Sequence, residues 1–221
     1  MSGIGIFGGT FDPIHLGHLR AAEEVREAEE VDEMWLVPAA LPPHKEGERL
    51  AGAADRLRMV ELAVAGVPGF RVSRLELDRP GASYSVDTLR TLRAEVSAAT
   101  RLVFVLGRDA FRDFHLWKEH AAIFALADVV VVTRPPAPAR LGADEIPLAA
   151  REAFWYDSGS GVFHHQSGHV LKLQHITALD ISAARVRASV AAGRSIRFLV
   201  PPPIEAYIAE HQLYCEEDAR R

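Results

Sequence analysis

Cysteine is nearly missing from this chain: Cys215 is the one cysteine among 221 residues. That excludes an intramolecular disulfide and a thiolate metal cluster, and it fits a reducing compartment. Long apolar runs are missing too. The longest, such as residues 129–132, fall far short of the roughly 20 apolar residues that cross a bilayer. The opening residues MSGIGIFGG lack a basic stretch ahead of an apolar core, so no secretory signal is expected there. Positive charge is not in excess either: 25 Lys and Arg stand against 30 Asp and Glu, a net charge of -5. Non-specific nucleic-acid binding needs a basic footprint, so that class is excluded. Any phosphate must be held by cations and backbone amides gathered locally. The expectation is a cytoplasmic protein that engages neither membrane nor nucleic acid.

What is present is a core-forming composition, 48% hydrophobic, in a length that suits one domain. Short apolar runs at 4–7, 34–37, 102–106, 129–133 and 170–173 read as buried strands, with 71–77 as a further strand. Between and after them, 19–30, 54–65, 85–96, 182–192 and 203–210 read as helices, and 109–127 as helical in parts. Strands alternating with helices predict right-handed βαβ units and a mainly parallel, doubly wound Rossmann-like sheet. No internal repeat is visible, so residues 1–221 are read as one domain, with an irregular insertion at about 135–169 and a helical part at about 181–215.

The chemistry-bearing segment is Gly8-Gly9-Thr10-Phe11-Asp12-Pro13-Ile14-His15-Leu16-Gly17-His18, between the first strand and the first helix. In open α/β sheets that edge is where ligands bind. Gly8 and Gly9 let backbone N–H groups approach a ligand closely, and the helix start beyond them attracts anions through its free N–H groups and dipole. His15 and His18, three apart, place two imidazoles on one face of that start. The pattern Gly3-Ile-Gly5-Ile-Phe-Gly8 also matches G-x-G-x-x-G, but its first two glycines fall within the strand, so it is no dinucleotide fingerprint.

GGTFDPIHLGH resembles the G-x-F-D-P-x-H-x-G-H signature of the HxGH adenylyltransferases, and Ile181-Ser182-Ala183-Ala184-Arg185-Val186-Arg187 resembles their second signature, I-S-x-T-x-I-R. Four further stretches resemble the bacterial nicotinate-nucleotide adenylyltransferases along nearly the full length. They are Pro42-Pro43-His44-Lys45, Ser83-Tyr84-Ser85-Val86-Asp87-Thr88-Leu89, Gly107-Arg108-Asp109 with Trp117, and the run from Leu199 through Tyr207-Ile208 to Leu213-Tyr214. Two departures stand out. Ala184 replaces a hydroxyl residue, which removes one phosphate hydrogen bond worth about 1.5–3 kcal/mol. Arg134-Pro135-Pro136 replaces R-P-G but keeps the arginine.

The resemblance implies transfer of AMP from ATP to nicotinate mononucleotide, giving deamido-NAD and pyrophosphate by direct in-line attack. His18 is then expected on the α-phosphate, with His15 and Arg187 as its catalytic companions. Gly8, Gly9, Thr10, Gly107, Asp109 and Ser182 join them in holding ATP. His44, Lys45, Tyr84, Ser85, Trp117 and Arg134 are expected to hold the mononucleotide. Magnesium is expected as a companion of ATP, with no dedicated protein metal site. The partners are expected to be ATP and nicotinate mononucleotide, and a homo-oligomer is compatible. Phosphopantetheine or nicotinamide mononucleotide as acceptor, a non-catalytic nucleotide sensor, and a nicotinamide-dependent oxidoreductase are the rival readings. His164, His165, His169 and His175 crowd one stretch, which is read as a solvated loop rather than a zinc site.

Overall fold

The computed structural model describes residues 3–42, 50–134 and 140–215. Among them, eight strands form one sheet: β1 (Gly3–Gly9), β2 (Glu33–Pro38), β3 (Phe70–Val72), β4 (Arg101–Gly107), β5 (Asp128–Thr133), β6 (Phe154–Asp157), β7 (Val162–His165) and β8 (Val170–His175). Their spatial order is β3-β2-β1-β4-β5-β8-β7-β6. The first six positions are parallel, and β7 and β6 add antiparallel at one edge.

Side-chain alternation along the strands divides the interior into two layers. Ile4, Ile6, Leu102, Phe104, Leu106, Val129 and Val131 face one side, where they meet α3 (Ser85–Glu95), α4 (Arg108–Arg112) and α5 (His120–Ile123). Phe7, Val103, Val105, Val130 and Val132 face the other, against α1 (Leu16–Ala28), α2 (Ala53–Val64), α7 (Ala183–Ala191) and α8 (Pro202–Glu210). Strands buried on both faces explain why they read as continuous apolar runs. The expected doubly wound α/β sheet is the observed one. A short α6 (Leu148–Arg151) precedes the edge hairpin.

Three expectations change. The strand expected over 71–77 ends at Val72, because its neighbour β2 closes at Pro38, which has no N–H to extend the ladder. The helix expected from 19 begins three residues earlier, at Leu16, because His15 caps it. Residues 154–157 and 162–165, within the stretch read as irregular, pair as a β-hairpin.

At the amino ends of the central strands, a closed charge network braces the sheet. Buried Glu29 accepts from Arg101 (2.7 Å) and Lys172 (2.6 Å), and Arg101 also reaches Asp128 at 2.7 Å. Burial pushes the Asp128 carboxyl up, but His169, Arg101 and the Val170 amide outweigh it and hold the group below its ordinary value. The network leaves the opposite, carboxyl edge of the sheet for other work.

Candidate active site

β1 delivers Gly8, Gly9 and Thr10 to the carboxyl edge, beside the end of β4. The order of strands reverses between these two, the switch point at which open α/β sheets bind ligands. A Cβ on Gly9 would stand 3.0 Å from the Phe11 ring, so a side chain there would press on that ring. Phe11 itself holds a left-handed backbone, φ +48°, which costs energy for a bulky residue. Its buried ring is edge-packed on Phe7 (6.0 Å) and His18 (5.2 Å), and that packing keeps the strain in place.

His15 is the N-cap of α1 and His18 its third residue. The His18 N–H donates to His15 Nδ1 and the His15 N–H to His18 Nδ1, both at 3.3 Å. The rings stack with centroids 3.7 Å apart. Because each Nδ1 accepts, each proton sits on Nε2, and both Nε2–H groups become donors to a ligand. Burial, reinforced by the charge of Arg134, lowers the pKa of His15 to about 4. Burial likewise holds His18 well below the ordinary histidine value, with His15 and Arg134 adding to it. Both are therefore neutral donors at physiological pH. Arg134 follows β5, is exposed, and donates through Nη1 to the Leu179 carbonyl at 2.6 Å.

Asp12 ties the turn to three distant parts of the chain. Its Oδ1 accepts from the Ala51 amide (3.1 Å) and the Tyr214 hydroxyl (2.7 Å), and its carbonyl accepts from Arg187 Nη1 (2.7 Å). Burial and that carboxylate push the Tyr214 phenol up, so it stays protonated as a donor. Ser182 caps α7, its Oγ accepting from the Arg185 amide at 3.2 Å, and exposed Ala184 lies in the first turn. The turn is fixed from below by Arg56, buried on α2, which donates to the carbonyls of Thr10 (2.8 Å), Ala39 (2.6 Å), Ala40 (3.0 Å) and Ala51 (3.0 Å).

A cavity of about 290 Å³ opens beside the turn, lined by Gly8, Gly9 and Thr10 and by Tyr84, Ser85, Gly107 and Trp117. Tyr84 precedes α3 and makes no side-chain cap bond, so the first amides of that helix face an opening with no side-chain acceptor of their own. The Trp117 ring, edge-packed on Phe104 at 6.3 Å, offers a flat wall. Sequence reasoning passed over two charged residues of this lining, Glu76 and Lys118. Glu76 is buried and accepts from Thr88 Oγ1 at 2.7 Å; burial raises its pKa, against the opposing hydroxyls of Thr88 and Ser83. Asp109 is nearly fully exposed and pairs with Arg112 at 3.3 Å. His44, Lys45, Pro135 and Pro136 lie outside the described residues.

Among the described residues, no three His, Cys, Asp or Glu gather to hold a metal ion. Three of the crowded histidines are occupied separately, and His175 is exposed at the end of β8. His164 stacks on Trp155 (5.5 Å), His165 Nδ1 lies 2.7 Å from Ser167 Oγ, and His169 Nδ1 lies 3.2 Å from Asp128. They sit in or beside the edge hairpin, not in a solvated loop.

A switch-point cavity at a glycine turn, followed at the next helix start by two neutral imidazole donors, is an arrangement that suits a nucleotidyltransferase. The chain belongs to the cytidylyltransferase-like family, whose model matches residues 6–189. Within it, the chain is similar to the "Probable nicotinate-nucleotide adenylyltransferase" of Geobacter sp. (strain M21), 46% identical over 96% of this chain and 98% of that protein. The protein of the same name from Syntrophotalea carbinolica is 45% identical over 97% of this chain and 98% of its own length. Among solved structures, the Plasmodium falciparum nicotinic acid mononucleotide adenylyltransferase complexed with NaAD superposes with a TM-score of 0.72. It covers 97% of this chain and 98% of its own at 18% identity, a likeness of fold.

Proposed function

We propose that this protein transfers AMP from ATP to nicotinate mononucleotide, releasing pyrophosphate and forming deamido-NAD. One observation carries the reading: the Gly8-Gly9-Thr10 turn and the uncapped start of α3 open onto the same cavity, whose lining includes Trp117. The turn and the histidine Nε2–H groups suit a polyphosphate, the helix start suits a carboxylate, and the indole face suits an electron-poor pyridinium ring. The names of the curated relatives and of the solved structure support the same acceptor.

The mononucleotide phosphate is already an anion, so attack on the α-phosphorus requires no general base. Holding the two reactants in line contributes about 7–11 kcal/mol. His18, as a preorganised neutral donor on the α-phosphate, contributes about 2.7–4 kcal/mol more. His15, Thr10, Ser182, Gly107, Asp109 and Arg187 position ATP, and Tyr84, Ser85, Trp117, His44, Lys45 and Arg134 position the acceptor. Arg134 has a second effect, since its charge is felt by both histidines. Magnesium would arrive with ATP as part of the substrate and would offset the charge of its phosphates. Among the described residues no helix is long and apolar enough to cross a membrane; we place the reaction in the cytoplasm and in a single domain.

The test is pyrophosphate release from ATP and magnesium with nicotinate mononucleotide or nicotinamide mononucleotide as acceptor. Fast release with the acid and slow release with the amide is the expected result. Release with neither removes the assignment.

A further inference from the structure

Backbone amides donate to carboxylate and carboxamide oxygens alike, so the start of α3 by itself separates the two acceptors weakly. A full cation separates them by charge. Among the described residues that line the cavity, Lys118 carries the one positive charge and Glu76 the one negative charge. Glu76 is engaged by Thr88 within the wall. Lys118 follows the indole wall directly, and its Nζ stands 2.9 Å from Asp87 Oδ2 and 4.8 Å from the centroid of the Tyr84 ring. Tyr84 precedes α3 and Asp87 is its third residue, so the ammonium is held against side chains of the helix's N-cap and first turn.

Asp87 does not hold this lysine alone. It also lies 3.8 Å from Arg90, which pairs with Glu119 at 2.6 Å. The Lys118 side chain is 42% exposed and turns on a flexible stem, so its ammonium is able to follow a ligand charge placed at the helix start. The positive charge of the pyridinium ring is common to acid and amide acceptors, and it cancels when the two are compared.

We propose that Lys118 is a specificity-determining residue, whose ammonium reads the acceptor's carboxylate and sets the preference for acid over amide. This rests on nicotinate mononucleotide being the acceptor. The experiment measures kcat/KM with nicotinate and nicotinamide mononucleotides for the native protein, Lys118→Met and Lys118→Arg, at low and high salt. The acid-to-amide ratio is expected to fall about two- to fivefold in Lys118→Met, the upper part of the range for an exposed charge pair, and to be retained in Lys118→Arg. Salt is expected to narrow the native ratio more than the Lys118→Met ratio, because it screens an exposed charge. A native protein that prefers the acid beside a Lys118→Met ratio within 1.5-fold of it overturns the role of Lys118 and leaves the acceptor standing. Equal losses on both acceptors overturn it too, since they mark a packing defect. A native protein that does not use the acid overturns the acceptor reading and this inference together.

Discussion

At the scale of single residues, the reciprocal caps between His15 and His18 decide what the pair can do. With both Nδ1 atoms engaged by backbone N–H groups, each ring meets a ligand through Nε2–H. His18→Ala is expected to cut kcat at least about a hundredfold, the loss for one preorganised donor on the developing charge, as read by pyrophosphate release. A kcat within a fewfold of native removes His18 from the α-phosphate. The pH profile is a separate check. Burial keeps both rings unprotonated through the ordinary histidine range, since His15 titrates near 4 and His18 lies well below the ordinary histidine value. The expected profile of kcat/KM for ATP therefore has no limb near pH 6.5, and a limb there contradicts the neutral-donor assignment.

At the scale of elements, α2 serves the site through a residue that does not line its cavity. Arg56 lies on the buried face of that helix with Met59 and Val60, and all four of its carbonyl partners belong to the phosphate turn, the chain after β2 or the chain before α2. Arg56→Met leaves those carbonyls without a donor and is expected to lower stability by about 3 kcal/mol or more. A denaturant midpoint close to native would show the staple to be dispensable. An arginine among apolar residues at helical spacing is a signal already present in the sequence. The phosphate turn and the start of α3 were legible for a similar reason, because glycines, caps and spacing are local. The edge hairpin was not, because its strands are four residues long and mix Trp155, Tyr156, His164 and His165, with too short a run to set a period of two. The early end of β3 was also hidden, since it is imposed by Pro38 on a neighbouring strand. Lys118 and Glu76 became visible only when the fold brought three loops around one cavity.

For the whole molecule, the buried histidines make acid the weak side of the stability profile. His15, His18 and His165 all titrate below the ordinary value, chiefly through burial. The unfolded chain thus binds more protons than the folded one as pH drops below about 6.5, so stability is full above that pH and is lost on the way down. For His15 alone, the fall from an ordinary value of 6.5 to about 4 amounts to about 3 kcal/mol by pH 4. Urea midpoints are expected to fall between pH 7 and pH 5, and less steeply in His15→Asn, which keeps a capping acceptor without the titration. A flat profile in the native protein would contradict the burial of these rings. The bond from Tyr214 to Asp12 has a consequence of another kind, for the order of events during synthesis. Strands β1 to β5 leave the ribosome early, yet the turn at residue 12 waits for residue 214 before its carboxylate is tethered. A nascent chain thus carries all six parallel strands before the hydroxyl that tethers its glycine turn has been made.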